Sequence, residues 1–436
     1  MRRRRIPLVL ASALIALCVS PTVAQAAPAV RVGAVAEDSI VIAIRAEAGG
    51  ALRRFYAARG YRPLWVSGGK AGPAADRLIG FLATAELDGL KPYDVDGLRA
   101  AIAAARGGDA QPAARAELAL SAAFARYVRD QRGARAARMT YADKRLKPKK
   151  PGVETVLRAA AFPKSFDDYV AGMDWMSDQY VRLRKLTAAA RKQGASGEEM
   201  ARLRRNLDRA RLLPGPWTRH VVVDASSGRL WYYEAGRQVG TMRVVVGAAE
   251  TQTPMLAGTL QWAILNPYWN VPDYLVRKSI AAKVLAGRTL DSLHMEALSD
   301  WGANPRRIEP GQIDWRAVAA GKEEVRLREL PGGANSMGKV KFLFPNRDGI
   351  YLHDTPVRDL LKKDDRHFSN GCIRLEDADA LGKWLLQKPL GAASKEPEQA
   401  VALPVQVPVY LTYITAAATD RGVAFRDDVY GRDGRG

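Results

Sequence analysis

The run HVVVDASSGRLWYYEAGRQVGTMRVVVG, residues 220–247, decides how this chain folds. It divides into three β-branched and aromatic segments, His220–Asp224, Leu230–Glu234 and Val239–Gly247. The separators, Ser226-Ser227-Gly228 and Ala235-Gly236, are short turn sequences, so the run reads as a hairpin meander. Further strands follow at Leu260–Leu265, Val340–Phe344 and Ile350–His353, with a last one at Val407–Ile414 before a charged tail. Asp377–Leu386 has helical spacing. Between these segments, residues 273–335 are mixed and polar, helical at Leu275–Leu285, and return through Pro331-Gly332-Gly333. An insertion of that length in a sheet domain is expected to serve as a lid or binding loop.

Upstream of Pro214-Gly215-Pro216 the character is different. Leu52, Phe55 and Tyr56, then Leu78 and Leu82, then Leu120, Phe124, Tyr127 and Val128 recur at helical intervals. Ser196 and Glu199 have capping-box spacing ahead of a helix carrying Met200, Leu203 and Leu207. No catalytic constellation is visible there, and the arginines read as solvated faces. The expected fold class is α+β, with a helical scaffold over 40–212 and a β-rich domain over 215–436 that carries the insertion at about 273–335.

Composition bounds the function. The chain has 436 residues, 47% hydrophobic and 26% charged, which excludes a disordered or collagen-like chain. No apolar stretch reaches the ~20 residues of a membrane-spanning helix, so no transmembrane anchor is expected. Arg2–Arg5, the apolar run Ile6–Val19 and Ala24-Gln25-Ala26 read as a signal peptide over 1–26. Leu17 stands before Cys18 where lipidation needs a small residue. The formal charge is +21, and +17 without the four leader arginines. An exported protein of that charge meets anionic envelope polymers and headgroups, and nucleic acid is not an expected partner. The expected location is the periplasm.

Removing the leader leaves one cysteine, Cys372. A lone thiol in an oxidising compartment cannot pair within its own chain, so it is either a buried small hydrophobe or a working nucleophile. Tyr351-Leu352-His353-Asp354-Thr355 ends a strand, and Ser369-Asn370-Gly371-Cys372-Ile373-Arg374-Leu375 begins sixteen residues after His353. An imidazole can activate the thiol, the glycine permits close approach, and amides around such a turn can face an oxyanion. Four scattered histidines without a second cysteine give no recognisable metal-ligand spacing.

The run H-D-T…S-N-G-C-I-R-L resembles the signature of YkuD-type L,D-transpeptidases. Trp217–Gly247, Thr253-Pro254, Asn266–Pro272, Gly338–Phe342 and the tail Phe425–Asp433 resemble the large YcbB-like branch. The run from Phe55-Tyr56 through Gly60–Trp65 to Asp88-Gly89-Leu90 is similar to that branch's helical scaffold. The resemblance implies peptidoglycan stem peptides as substrate, 3-3 cross-links through a Cys372 thioester, carbapenems as inhibitors, and no cofactor. It further implies His353 as base, the Asp354 backbone carbonyl as its orienting acceptor, and the Gly371 and Cys372 amides as the oxyanion hole. An Asp354 side chain in that role is disfavoured, because neighbours on a strand point to opposite faces. Arg374 is a candidate for a substrate carboxylate, with an ion pair to Glu376 or Asp377 as its structural alternative. Ser369, Asn370, Trp269 and Tyr268 are candidate substrate contacts, the two aromatics being equally compatible with core packing.

Two features depart from the pattern. Asn370 replaces the histidine commonly found before the glycine, and His367 does not align with it and reads as a loop residue. No segment between 150 and 215 resembles a peptidoglycan-binding module. Two other activities fit the same sequence. Water in place of the acceptor amine gives an L,D-carboxypeptidase, and a decayed site gives an inactive envelope-binding homologue.

Overall fold

The structure is a computed structural model that describes residues 38–133, 137–391, 396–419 and 422–434. The leader sequence and Cys18 lie outside the described residues. Among the described residues no helix is long and apolar enough to cross a membrane.

The N-terminal half is helical. Its centre is the helix Ala110–Gln131, whose face Ala113, Ala114, Ala116, Leu120, Phe124, Tyr127 and Val128 is buried. Helices Ser39–Glu47, Gly50–Ala58, Pro73–Ala83, Val95–Ala105 and Val153–Ala161 surround it. Asp178–Lys192 and Gly197–Ala210 lead toward the strands. The capping box forms at the second of these, with both the Ser196 and the Glu199 side chains bonded to the opposing backbone amides. Buried carboxylates tie the helical half together. Glu117 accepts from the Leu64, Trp65 and Val66 amides and from the Tyr56 hydroxyl. Asp88 accepts from Tyr127, Tyr180 and Arg184. A buried carboxylate is tolerated only with such saturation of its lone pairs.

The expected meander forms as His220–Asp224, Arg229–Glu234 and Arg237–Gly247, joined antiparallel. The sheet then closes on itself. Val340–Leu343 pairs with Leu352–His353 on one side and with Leu256–Leu265 on the other. Leu352–His353 runs parallel to Ile373–Leu375, which pairs with Arg237–Gly247. The long strand Gln399–Thr412 joins His220–Asp224 to Leu256–Leu265. The result is a closed barrel, which leaves few free strand edges.

Alternation along each strand sorts side chains between the two faces of the wall. Val221, Val223, Leu230, Val244, Val246, Phe342, Leu352, Ile373, Val409 and Leu411 form the interior cluster, together with Leu381 and Leu385 of the helix Ala378–Leu386. Val222, Tyr233, Ala257 and Tyr410, one step out of phase, join the scaffold core instead. The outer face of these strands is therefore packed into the scaffold's apolar core, separate from the barrel interior. A short scaffold strand, Thr140–Tyr141, adds to the barrel by pairing with Leu256–Ala257.

The insertion is a small module with its own sheet, Arg307–Ile308, Met295–Leu298, Arg326–Glu329 and Trp269–Asn270, and its own core around Val276, Ile280, Trp315, Val318 and Leu327. It thus begins at Trp269, a few residues before the polar stretch suggested. The chain's last segment is also more ordered than a charged tail: it forms a hairpin, Ala416–Thr419 with Gly422–Phe425, and then anchors to both halves.

Candidate active site

Three adjacent strands of the barrel wall carry the candidate residues. Phe342 pairs with Leu352 and Leu352 with Ile373, and all three point into the interior. Their neighbours Lys341, His353 and Arg374, which are also register partners, therefore line up on the outer face. Tyr351 and Cys372 lie one step back along two of these strands, on the same outer face. The Ile373 amide bonds to the Tyr351 carbonyl at 3.0 Å, which locks that step of the register.

His353 is 2% exposed. Its Nδ1 lies 2.6 Å from the Asp354 carbonyl oxygen. A carbonyl can only accept, so Nδ1 carries the proton and Nε2 holds the lone pair. The Asp354 carboxylate is engaged elsewhere: Arg358 donates to one oxygen at 2.7 Å and the Lys339 amide to the other at 3.0 Å. Gly338, at φ +59°, permits that approach, since a Cβ there would lie 2.3 Å from the carboxylate.

Cys372 is half-buried, with Sγ 3.5 Å from the Gly349 carbonyl. Burial pushes its thiol up to about 11, opposed by the Tyr351 backbone and the Arg374 charge. Burial likewise drives His353 down to about 3, opposed by its bond to Asp354 and assisted by Arg374 and Lys341. At neutral pH both partners are uncharged.

The turn that presents the sulfur is held from within. Ser369 Oγ accepts from the Gly371 amide at 3.1 Å and donates to the Cys372 carbonyl at 2.6 Å. Ser369 is itself buried, and both of these bonds lie within the turn. The Gly371 amide, expected in the oxyanion pair, is thus engaged by Ser369 Oγ in this structure. The Cys372 amide meets no acceptor among the described residues. Gly371 adopts φ +106°, and a Cβ there would lie 3.1 Å from Ile350. Behind it, Thr253 Oγ1 donates to the Gly371 carbonyl at 2.8 Å.

Asn370, two residues before Cys372, is exposed. Arg374 is partly buried, its Nε lacks a hydrogen-bond partner, and burial lowers its pKa. Both acids that could have paired with it are occupied, Glu376 by Arg243 and Asp377 as the cap of the helix Ala378–Leu386. Trp269 packs on the insertion's core, and Tyr268 lies beneath the Arg328 guanidinium, 3.8 Å from its ring centroid. The nearby aromatic that sequence did not single out is Tyr274, in the first turn of the insertion, whose pKa is raised by burial and by the Cys372 charge. His367 opens the short strand His367–Ser369 and pairs with Asp365. Among the described residues no cluster of His, Cys, Asp and Glu could hold a metal.

Comparison with known proteins agrees with this organisation. Residues 50–186 match the model of a family described as a Scaffold domain, and residues 218–407 match the YkuD model, described as an L,D-transpeptidase catalytic domain. A Haemophilus influenzae protein named as a candidate L,D-transpeptidase is 26% identical over 395 residues, covering 88% of this chain and 78% of that protein. Among solved structures, the carbamoyl enzyme that Ldtfm forms with avibactam is 14% identical, with 46% of this chain and 49% of that one covered and a TM-score of 0.22. An L,D-transpeptidase from Mycobacterium smegmatis is 13% identical, with 44% and 58% covered and a TM-score of 0.21. The chain thus spans about half the length of these solved chains. The C-terminal half carries a YkuD-type L,D-transpeptidase catalytic domain.

Proposed function

We propose that the protein is an L,D-transpeptidase of the large, scaffold-bearing YcbB-like branch, which forms 3-3 cross-links in peptidoglycan through a Cys372 thioester. The observation that carries this reading is the His353 imidazole, fixed as an Nδ1–H tautomer on the Asp354 carbonyl, one strand from a partly exposed Cys372. In the first half-reaction Sγ bonds to the carbonyl carbon of the third residue of a donor tetrapeptide while the thiol proton passes to His353 Nε2. The Cys372 amide stabilises the oxyanion. Collapse breaks the peptide bond, the terminal D-alanine leaves with the proton from His353, and a thioester remains. In the second half an acceptor amine, that of a neighbouring diaminopimelate, loses its proton to the imidazole and displaces the sulfur. Arg374, which has no acidic partner among the described residues, holds a carboxylate of the donor. The leader peptide reading places the enzyme in the periplasm.

Intact-mass analysis with meropenem tests the reading. A ring-opened adduct is expected on the wild type and none on Cys372→Ala. His353→Ala is expected to fold and to acylate about 10²–10⁴-fold more slowly. A wild-type spectrum without adduct overturns the thioester, and unchanged acylation in His353→Ala overturns the base. Muropeptide analysis then separates cross-linking from trimming.

A further inference from the structure

A cavity lies where the scaffold meets the start of the barrel, away from Cys372. It encloses about 480 Å³ and is lined by Phe162, Tyr169, Trp175, Trp217, Arg132 and Asp174, among others. Three features distinguish it from a packing defect. First, two of its aromatic rings are displayed to solvent, Phe162 at 81% and Trp217 at 40% exposure, and are held edge to face at 6.3 Å. Second, its two charged groups are not paired with each other or with any other charge among the described residues. The Arg132 guanidinium donates to the Leu213 carbonyl at 2.9 Å, and the Asp174 carboxylate accepts only from the Trp217 indole N–H at 3.3 Å. Third, both are desolvated: burial lowers the pKa of Arg132 and raises that of Asp174. A desolvated donor and a desolvated acceptor beside exposed aromatic faces call for a ligand with one apolar face and a rim of hydroxyls and carbonyls.

We propose that this cavity is a saccharide site that takes an N-acetylated hexosamine of a glycan strand. The C–H face of the pyranose lies on Trp217 and Phe162, a ring hydroxyl donates to Asp174, and the acetamido carbonyl accepts from Arg132. The identity of the strand as peptidoglycan rests on the proposed function. The site then anchors the enzyme on the polymer whose peptides it joins.

The test uses the full chain and peptide-free N-acetylglucosamine tetramer, with binding followed by calorimetry and meropenem acylation measured alongside. Saturable binding by the wild type is expected, weakened on the order of tenfold in Phe162→Ala, a fully surface change that spares the fold, and further in Asp174→Asn. Acylation at Cys372 is expected to stay at the wild-type rate in both variants. No heat with the tetramer, or equal binding by the wild type and both variants, overturns the saccharide site. Competition by stem peptide alone at these residues also overturns it, by making the cavity a peptide site. Tetramer binding in a protein that meropenem fails to acylate leaves this site standing and removes the proposed catalysis.

Discussion

Desolvation acts on both members of the Cys372–His353 pair and drives each toward neutrality, the thiol to about 11 and the imidazole to about 3. Both groups therefore rest uncharged, as thiol and imidazole, and in the proposed mechanism proton transfer belongs to the attack itself. Iodoacetamide alkylation of Cys372 should accordingly rise about tenfold per pH unit from 7 upward; a plateau across neutral pH would show a resting ion pair instead. Arg374 favours the thiolate, so Arg374→Ala should shift that rise to higher pH, and an unmoved profile would remove its electrostatic role. Ser369→Ala leaves the Gly371 amide and the Cys372 carbonyl without their partner. Such a loss costs about 1–3 kcal/mol, and a lowered thermal midpoint together with slower acylation is the expected result. Part of this was legible in the sequence. Strand alternation predicted that the Asp354 side chain would point away from its neighbour's imidazole, and it bonds Arg358 and Lys339 instead. The engagement of the Gly371 amide was not legible, because which amide a turn hydroxyl captures depends on backbone angles that no residue type specifies.

At the level of elements, the segment 247–253 links the sulfur-bearing turn to the chain's end. Thr253 holds the Gly371 carbonyl and accepts from the Gly247 amide at 2.9 Å, while Thr251 donates to the Ser369 carbonyl at 2.9 Å. From the tail, the Tyr430 hydroxyl donates to the Gly247 carbonyl at 2.6 Å and accepts from the Thr253 amide at 3.3 Å. Arg432 donates to Gln252 and to the Thr253 carbonyl. The next residue, Asp433, is held by Arg202, Arg209 and Thr415. The tail is thus a clasp between a scaffold helix and the turn that bears Cys372. Tyr430→Phe keeps the ring stacked on Tyr413 and deletes only the hydroxyl. It should lower the acylation rate several-fold while the pH dependence of Cys372 alkylation keeps its shape; full wild-type acylation would show that the turn stands without the clasp. The charge of the tail was evident from its sequence, but its partners in the segment 247–253 and in the scaffold helix lie more than 170 residues away, beyond the reach of local patterning. The insertion illustrates the same limit: its length marked it as an independent element, whereas Trp269 belongs to its core because of a strand pairing with Glu329.

Across the whole molecule, the decisive contact is the pairing of Val340–Leu343 with Leu256–Leu265, which turns a meander into a barrel. Periodicity located both strands, but closure depends on register between distant segments, which sequence alone leaves open. Closure also fixes which side chains face the scaffold, and it places His220 at that junction. Its ring stacks on Tyr233 at 4.8 Å, Nδ1 donates to the Thr218 carbonyl at 2.6 Å, and Nε2 is buried without a partner. Burial lowers its pKa to about 4, against about 6.5 in an unfolded chain. The folded state therefore binds fewer protons than the unfolded state between those values. The stability that a neutral His220 contributes is complete above about pH 6.5 and is lost progressively as the pH falls toward 4. Buried Glu117 and Asp224, whose pKa values are raised, act in the opposite sense over the acid range, so the wild-type slope is a sum and the informative quantity is a difference. His220→Phe retains an aromatic ring against Tyr233 and removes the titration. Its thermal midpoint relative to wild type should rise as the pH is lowered from 7 to 4.5, and a difference that stays constant across that window would mean that His220 is not held neutral by the fold.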